Sequence, residues 1–134
     1  MSAKRAGAEP VQKRKLTEVE LELMTILWRL GAGTVGDVLD ALPRERRLAY
    51  TSVSTILRIL EKKGVLAARK QGRGHLYVPR ISKQQYESWS VKDLVQRVFD
   101  GAPGALVRRL IESEALTPAD LAALRDLLER KGRR

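Results

Sequence analysis

Ala49 to Gly64 reads "AYTSVSTILRILEKKG", and the reading of this stretch decides the fold. Its apolar spacing is helical, yet Thr51, Ser52, Ser54 and Thr55 crowd the first turns. Small hydroxyl residues are indifferent helix formers, because their side chains compete for backbone hydrogen bonds. With Val53 at zero on a wheel of about 100° per residue, Ile56, Leu57 and Leu60 fall within about 60° of it and form a stripe to be buried. Thr51, Thr55, Arg58 and Lys62 fall within about 40° of the opposite pole, flanked by Ser52 and Ser54. The polar face is short near its N-terminus and long and cationic towards Lys62 and Lys63. Short residues allow close approach to a groove floor, and longer basic ones reach bases or phosphates. A recognition helix enters the DNA major groove in this way, N-terminal part nearest the bases.

The flanking sequence supplies the rest of such a unit. In "LTEVELELMTILWRLG", Thr17 and Glu20 form a capping box, Leu16 is placed to staple Leu21, and Gly31 offers a stop. Leu23, Ile26, Leu27 and Leu30 follow at helical spacing, with Trp28 a core anchor. "GTVGDVLDALP" predicts a short second helix, capped by Thr34 and ended by Pro43. After Gly64, "VLAARK" and "HLYVPRI" are strand-like runs joined by "QGRG". Three helices followed by a basic β-hairpin is the layout of a winged helix-turn-helix domain. Arg69, Lys70, Arg73 and His75 in the hairpin are the candidate wing contacts to DNA. His75 has no partnered nucleophile or carboxylate constellation, so no catalytic residue is expected.

Charge is distributed to match. Of a net +10, residues 43–80 hold ten basic residues against Glu45 and Glu61, a net +8. Residues 16–42 are acidic, with Arg29 the sole basic residue against five acidic ones. Residues 1–15 carry a net +4 without apolar periodicity and read as a basic flexible tail. A concentrated cationic block implies a polyanionic partner. The absence of cysteine removes disulfides and thiolate metal sites and suits a reducing cytosol, so a cytoplasmic protein without metal or cofactor is expected. No apolar run approaches the ~18 residues of a membrane span, and no apolar segment follows the basic N-terminus as in a secretory signal.

Beyond Ser82 the chain turns helical again, through Phe99, then from Leu106, then from Pro118 behind the cap Thr117. Val91, Leu94, Val95 and Val98 form an i, i+3, i+4, i+7 stripe, and helices this short have little core of their own. Trp89, Val91, Leu94, Val95, Val98, Phe99, Leu106, Leu110, Leu121, Leu124 and Leu128 are therefore the candidate homodimer contacts. A two-fold dimer would set two recognition helices about 34 Å apart on one DNA face. The expected organisation is a tail over 1–15, a winged-helix domain over 16–81 and a helical dimerisation domain over 82–131. The fold class is mainly α with a small β-hairpin.

"LTEVELELMTILW", "AYTSVSTILRILEKKGVL" and "GRGHLYVPRIS" together resemble the penicillinase-repressor family of bacterial regulators, BlaI/MecI-like proteins, from about Leu16 to Leu128. The resemblance implies an N-terminal winged-helix domain, a C-terminal dimerisation domain and repression by binding dyad-symmetric operators, with Thr51 and Thr55 facing bases. It also implies a membrane sensor protease that cuts an Asn-Phe bond in the best-known members; the aligned pair here is Arg109-Leu110. Copper-responsive relatives use a cysteine cluster, which this chain lacks. Two other readings fit the charge or the helices: a nonspecific nucleoid or RNA-binding protein, and a ligand-sensing regulator whose effector binds near Tyr86 and Trp89. Few aromatics argue against single-strand recognition. An enzyme of small-molecule metabolism is disfavoured by the lack of a metal cluster or phosphate loop.

Overall fold

The computed structural model describes residues 15–132, so the basic tail, Lys15 apart, lies outside the described residues. Three helices come first: α1 (Glu18–Leu30), α2 (Val35–Ala41) and α3 (Tyr50–Lys62). A hairpin of β1 (Leu66–Gln71) and β2 (Gly74–Pro79) follows, then α4 (Lys83–Val98), α5 (Pro103–Glu112) and α6 (Pro118–Gly132). Local chemistry sets the helix starts. Capping boxes join Thr17 to Glu20, Thr34 to Asp37, Ser82 to Gln85 and Thr117 to Asp120. At α6 the hydrogen bond from the Thr117 backbone N–H, followed by that with its side chain, holds the Asp120 carboxyl below its ordinary range.

The antiparallel hairpin pairs Leu66 with Pro79 and Gln71 with Gly74. Gly72 (φ 59°) turns the chain at its tip, a backbone region that favours glycine in two-residue hairpins. Gly33, between α1 and α2, exchanges two backbone hydrogen bonds with Tyr77, 3.0 and 2.8 Å long. A Cβ at Gly33 would come within 3.3 Å of the Leu27 and Asp37 side chains, so a larger residue there would require those side chains to shift by a few tenths of an ångström.

Chain contacts divide the molecule after Ser90, inside α4, into two compact units. The division lies later than the expected boundary at 81/82, for a packing reason. Tyr86, in the second turn of α4, sits 5.9 Å from the Trp28 ring and 5.8 Å from the Trp89 ring. Its hydroxyl accepts from the Leu16 backbone N–H. The first half of α4 thus belongs to the winged-helix unit. The core of that unit joins Leu23, Met24 and Leu27 of α1, Val38 of α2, Val53, Leu57 and Leu60 of α3, and Leu66 and Tyr77 of the hairpin. Burial, joined by the charge of Glu61, pushes the Tyr77 phenol up, while Arg58 opposes the shift.

The unit from Val91 onward is built differently. Among its described residues only Val95 is a buried hydrophobic, and α5 and α6 bury none. No helix among the described residues is long and apolar enough to cross a membrane.

Candidate nucleic-acid interface

The α3 wheel is realised in three dimensions. Val53, Leu57 and Leu60 are fully buried and Ile56 is half-buried against them. Thr51, Ser52, Thr55, Arg58 and Lys62 are exposed on the other side, and Ser54 lies half-buried at its flank. Burying one stripe of an amphipathic helix obliges the opposite stripe to face water. The exposed face therefore follows from the core.

The start of α3 differs from those of α1 and α2. Its N-cap, Ala49, makes no side-chain cap hydrogen bond, and no acidic residue lies in the first turn. The first-turn amides and the positive end of the helix dipole stay uncompensated by side chains. Tyr50 opens the helix at 60% exposure, a large aromatic at the same end. Sequence reasoning passed over Tyr50, because an aromatic beside an apolar stripe reads as core until its direction is known.

Lys63 departs from the expected set. It lies past the end of α3 as the C-cap, and its ammonium group reaches the Glu20 carboxylate at 2.7 and 2.9 Å. Glu20 is buried and also accepts from the Thr17 N–H of its capping box. A buried carboxylate needs a countercharge, so Lys63 neutralises the fold and does not extend the exposed cationic face. Lys62, one residue earlier, points to solvent.

In the α2–α3 loop, Arg46 forms a two-pronged pair with Glu22, at 2.9 to 3.1 Å. That carboxylate holds Arg46 above the usual guanidinium range. Arg44 and Arg47 on either side are exposed and enlarge the basic surface ahead of α3.

In the wing, Arg69, Lys70, Arg73 and His75 are all exposed, and none joins an ion pair among the described residues. Lys70 stands opposite His75 in the register, and the His75 ring lies 6.3 Å from that of Tyr77 on the same strand. Wing and α3 thus present hydroxyls and cations. No group of three or more His, Asp or Glu side chains that could hold a metal comes together among the described residues.

These observations meet their counterpart in comparisons with known proteins. The profile of the penicillinase repressor family matches residues 16–130. The chain belongs to that family. The penicillinase repressor of Bacillus licheniformis is 25% identical over 115 residues, 86% of this chain and 90% of that one. A transcriptional regulator BlaI of Mycobacterium tuberculosis is 31% identical over 108 residues, covering 79% of this chain and 78% of that one. Among solved structures, the DNA binding domain of the repressor BlaI is 29% identical, covers 55% of this chain and 89% of that one, and superposes with a TM-score of 0.49.

In this family member, the eleven expected dimer contacts separate into three groups. Val91, Leu94, Val98, Leu110, Leu121, Leu124 and Leu128 are exposed, and Phe99 and Leu106 are half-buried. Val95 is buried within the single chain, where its carbonyl accepts from the Phe99 and Gly101 N–H groups. Trp89 packs against Tyr86 within the winged-helix unit. Those two are therefore packed within the chain. Val107, Ile111 and Leu127 are at least half exposed and join the apolar surface of α5 and α6.

Proposed function

We propose that this protein is a sequence-specific DNA-binding transcriptional repressor acting as a homodimer on dyad-symmetric operators. The observation that carries the reading is the exposed α3 face of Thr51, Thr55, Arg58 and Lys62, held outward by the burial of Val53, Leu57 and Leu60. Thr51, Ser54, Thr55 and Arg58 face bases in the major groove, with Ser52 beside them. Lys62, Arg69 and Arg73 engage phosphates, supported by Lys70 and His75. The uncapped start of α3 leaves amides for the same backbone. The role is one of binding, without catalysis, in the cytoplasm.

Homodimerisation is supported by the exposed leucines and valines of α4 to α6, because several exposed large apolar side chains on neighbouring helices favour a partner surface. A membrane sensor protease as a partner is supported by family membership. The aligned bond Arg109-Leu110 lies towards the end of α5, and both residues are exposed.

Binding-site selection from genomic DNA with the purified protein tests the reading. An enriched inverted repeat is expected, with half-site centres about one helical turn apart or a multiple of it. Uniform recovery of unrelated duplexes would replace it with nonspecific nucleoid binding.

A further inference from the structure

An open cleft of about 790 Å³ lies between the end of α1, the exit of β2 and the start of α4, wholly within the unit that ends at Ser90. Trp28, Pro79 and Ile81 line it with apolar surface, and Arg29, Arg80 and Lys83 with charge. No carboxylate lines the cleft. We infer that this cleft is a binding site for a small organic carboxylate with an apolar body.

The polar groups around it favour an acceptor. Arg29 and Arg80 make no ion pair among the described residues, and Lys83 has only a 3.9 Å contact with exposed Glu87. The Ser82 Oγ and the Gln85 Oε1 accept the backbone hydrogen bonds of their capping box, which leaves the Ser82 O–H and the Gln85 amide N–H groups to donate. The Trp28 N–H is spent on the Ile81 carbonyl at 2.9 Å and the Thr25 O–H on the Leu21 carbonyl at 2.8 Å. The indole therefore offers the cleft its apolar ring.

The cations at the cleft lack a carboxylate lining it. Arg29 at the last turn of α1 is favoured by the helix dipole, and that alone explains it. Lys83 opens α4 with Arg80 three residues before it, at the helix end where positive charge is disfavoured, and no acidic residue lies in that first turn. A carboxylate bound in the cleft pairs with Arg29, Arg80 and Lys83, while its body covers Trp28, Pro79 and Ile81.

Calorimetric titration of the full chain with benzoate, cyclohexanecarboxylate and 2-naphthoate tests this, with 2-naphthamide and inorganic phosphate as controls. Saturable binding by at least one carboxylate is expected, with no binding of the amide and weaker binding of phosphate. Arg29→Gln and Arg80→Gln should each weaken the carboxylate about tenfold, the loss of one charge-assisted contact. Both substitutions are at exposed positions, and Lys83→Gln gives a third. Saturation by none of the three carboxylates overturns the inference, as does binding that these variants leave unchanged or phosphate binding as tight as the carboxylate's. A matching loss of duplex DNA affinity in both arginine variants, without any carboxylate effect, would instead make the cleft a nucleic-acid phosphate contact. Carboxylate binding is read without operator DNA, so its outcome is independent of the repressor reading.

Discussion

Leu57 and Leu124 occupy matching places in the apolar stripes of their helices, α3 and α6, and meet opposite surroundings. Leu57 is fully buried among residues of α1, α2 and the hairpin, whereas Leu124 is 39% exposed. The difference extends to the whole of each unit. Through Ser90, helices of 13 and 7 residues close on a hairpin and share one core. From Val91 on, three helical segments leave most of their leucines and valines exposed, Val95 being buried and Leu106 half-buried. One unit satisfies its hydrophobic pattern within the chain; the other leaves most of its pattern exposed, as the proposed homodimer requires.

The sharpest way to break this contrast is to truncate both leucines. Leu57→Ala should cost about 2–5 kcal/mol in urea unfolding, since the site is closed and cannot collapse. Leu124→Ala should cost less than about 1 kcal/mol at dilutions that keep the chain monomeric, and should raise the dimer dissociation constant instead. A large loss of monomer stability for Leu124→Ala would give the second unit a core of its own.

Leu110→Asp should next shift sedimentation from dimer to monomer, weakening association by about 2–3 kcal/mol, because a charge would be buried at the interface. The far-ultraviolet circular dichroism should stay the same. An unchanged dimer would move the interface away from α5.

Arg58→Ala should weaken operator binding by about 1–3 kcal/mol and nonspecific duplex binding by less. Equal losses on the two DNAs would reduce Arg58 to a phosphate contact.

The smallest effect separates two adjacent lysines. Lys62→Ala should lower the salt slope of DNA binding by about one and leave stability within ~0.5 kcal/mol. Lys63→Ala should leave the slope unchanged and cost about 1–2 kcal/mol of stability, because Glu20 loses its countercharge. Identical salt slopes for the two variants would return Lys63 to the DNA-facing set.

Much of the site was legible in the α3 stretch because a helix wheel is local. Once Val53, Leu57 and Leu60 are buried, the directions of Thr51, Thr55, Arg58 and Lys62 follow from a fixed angle per residue. The capping box of α1 and the Thr34 cap of α2 were equally legible, since donor and acceptor lie three residues apart. The fate of individual charges was less accessible. "PRERRLA" holds three arginines, and composition does not say which of them Glu22 takes, 24 residues away in the chain. Trp89 reads as one more apolar position of α4, and only the stacking of Tyr86 against Trp28 draws that turn into the first unit.

The sequence by itself therefore determined the elements, the capped starts of α1, α2, α4 and α6 and the exposed cationic face, because these depend on spacings within one or two helical turns; α5 begins at Pro103, three residues before the expected Leu106. Only the tertiary structure decided that Lys63 serves Glu20, that Arg46 serves Glu22, and that the first unit reaches to Ser90. Those outcomes rest on groups 24 to 58 residues apart that packing alone brings together.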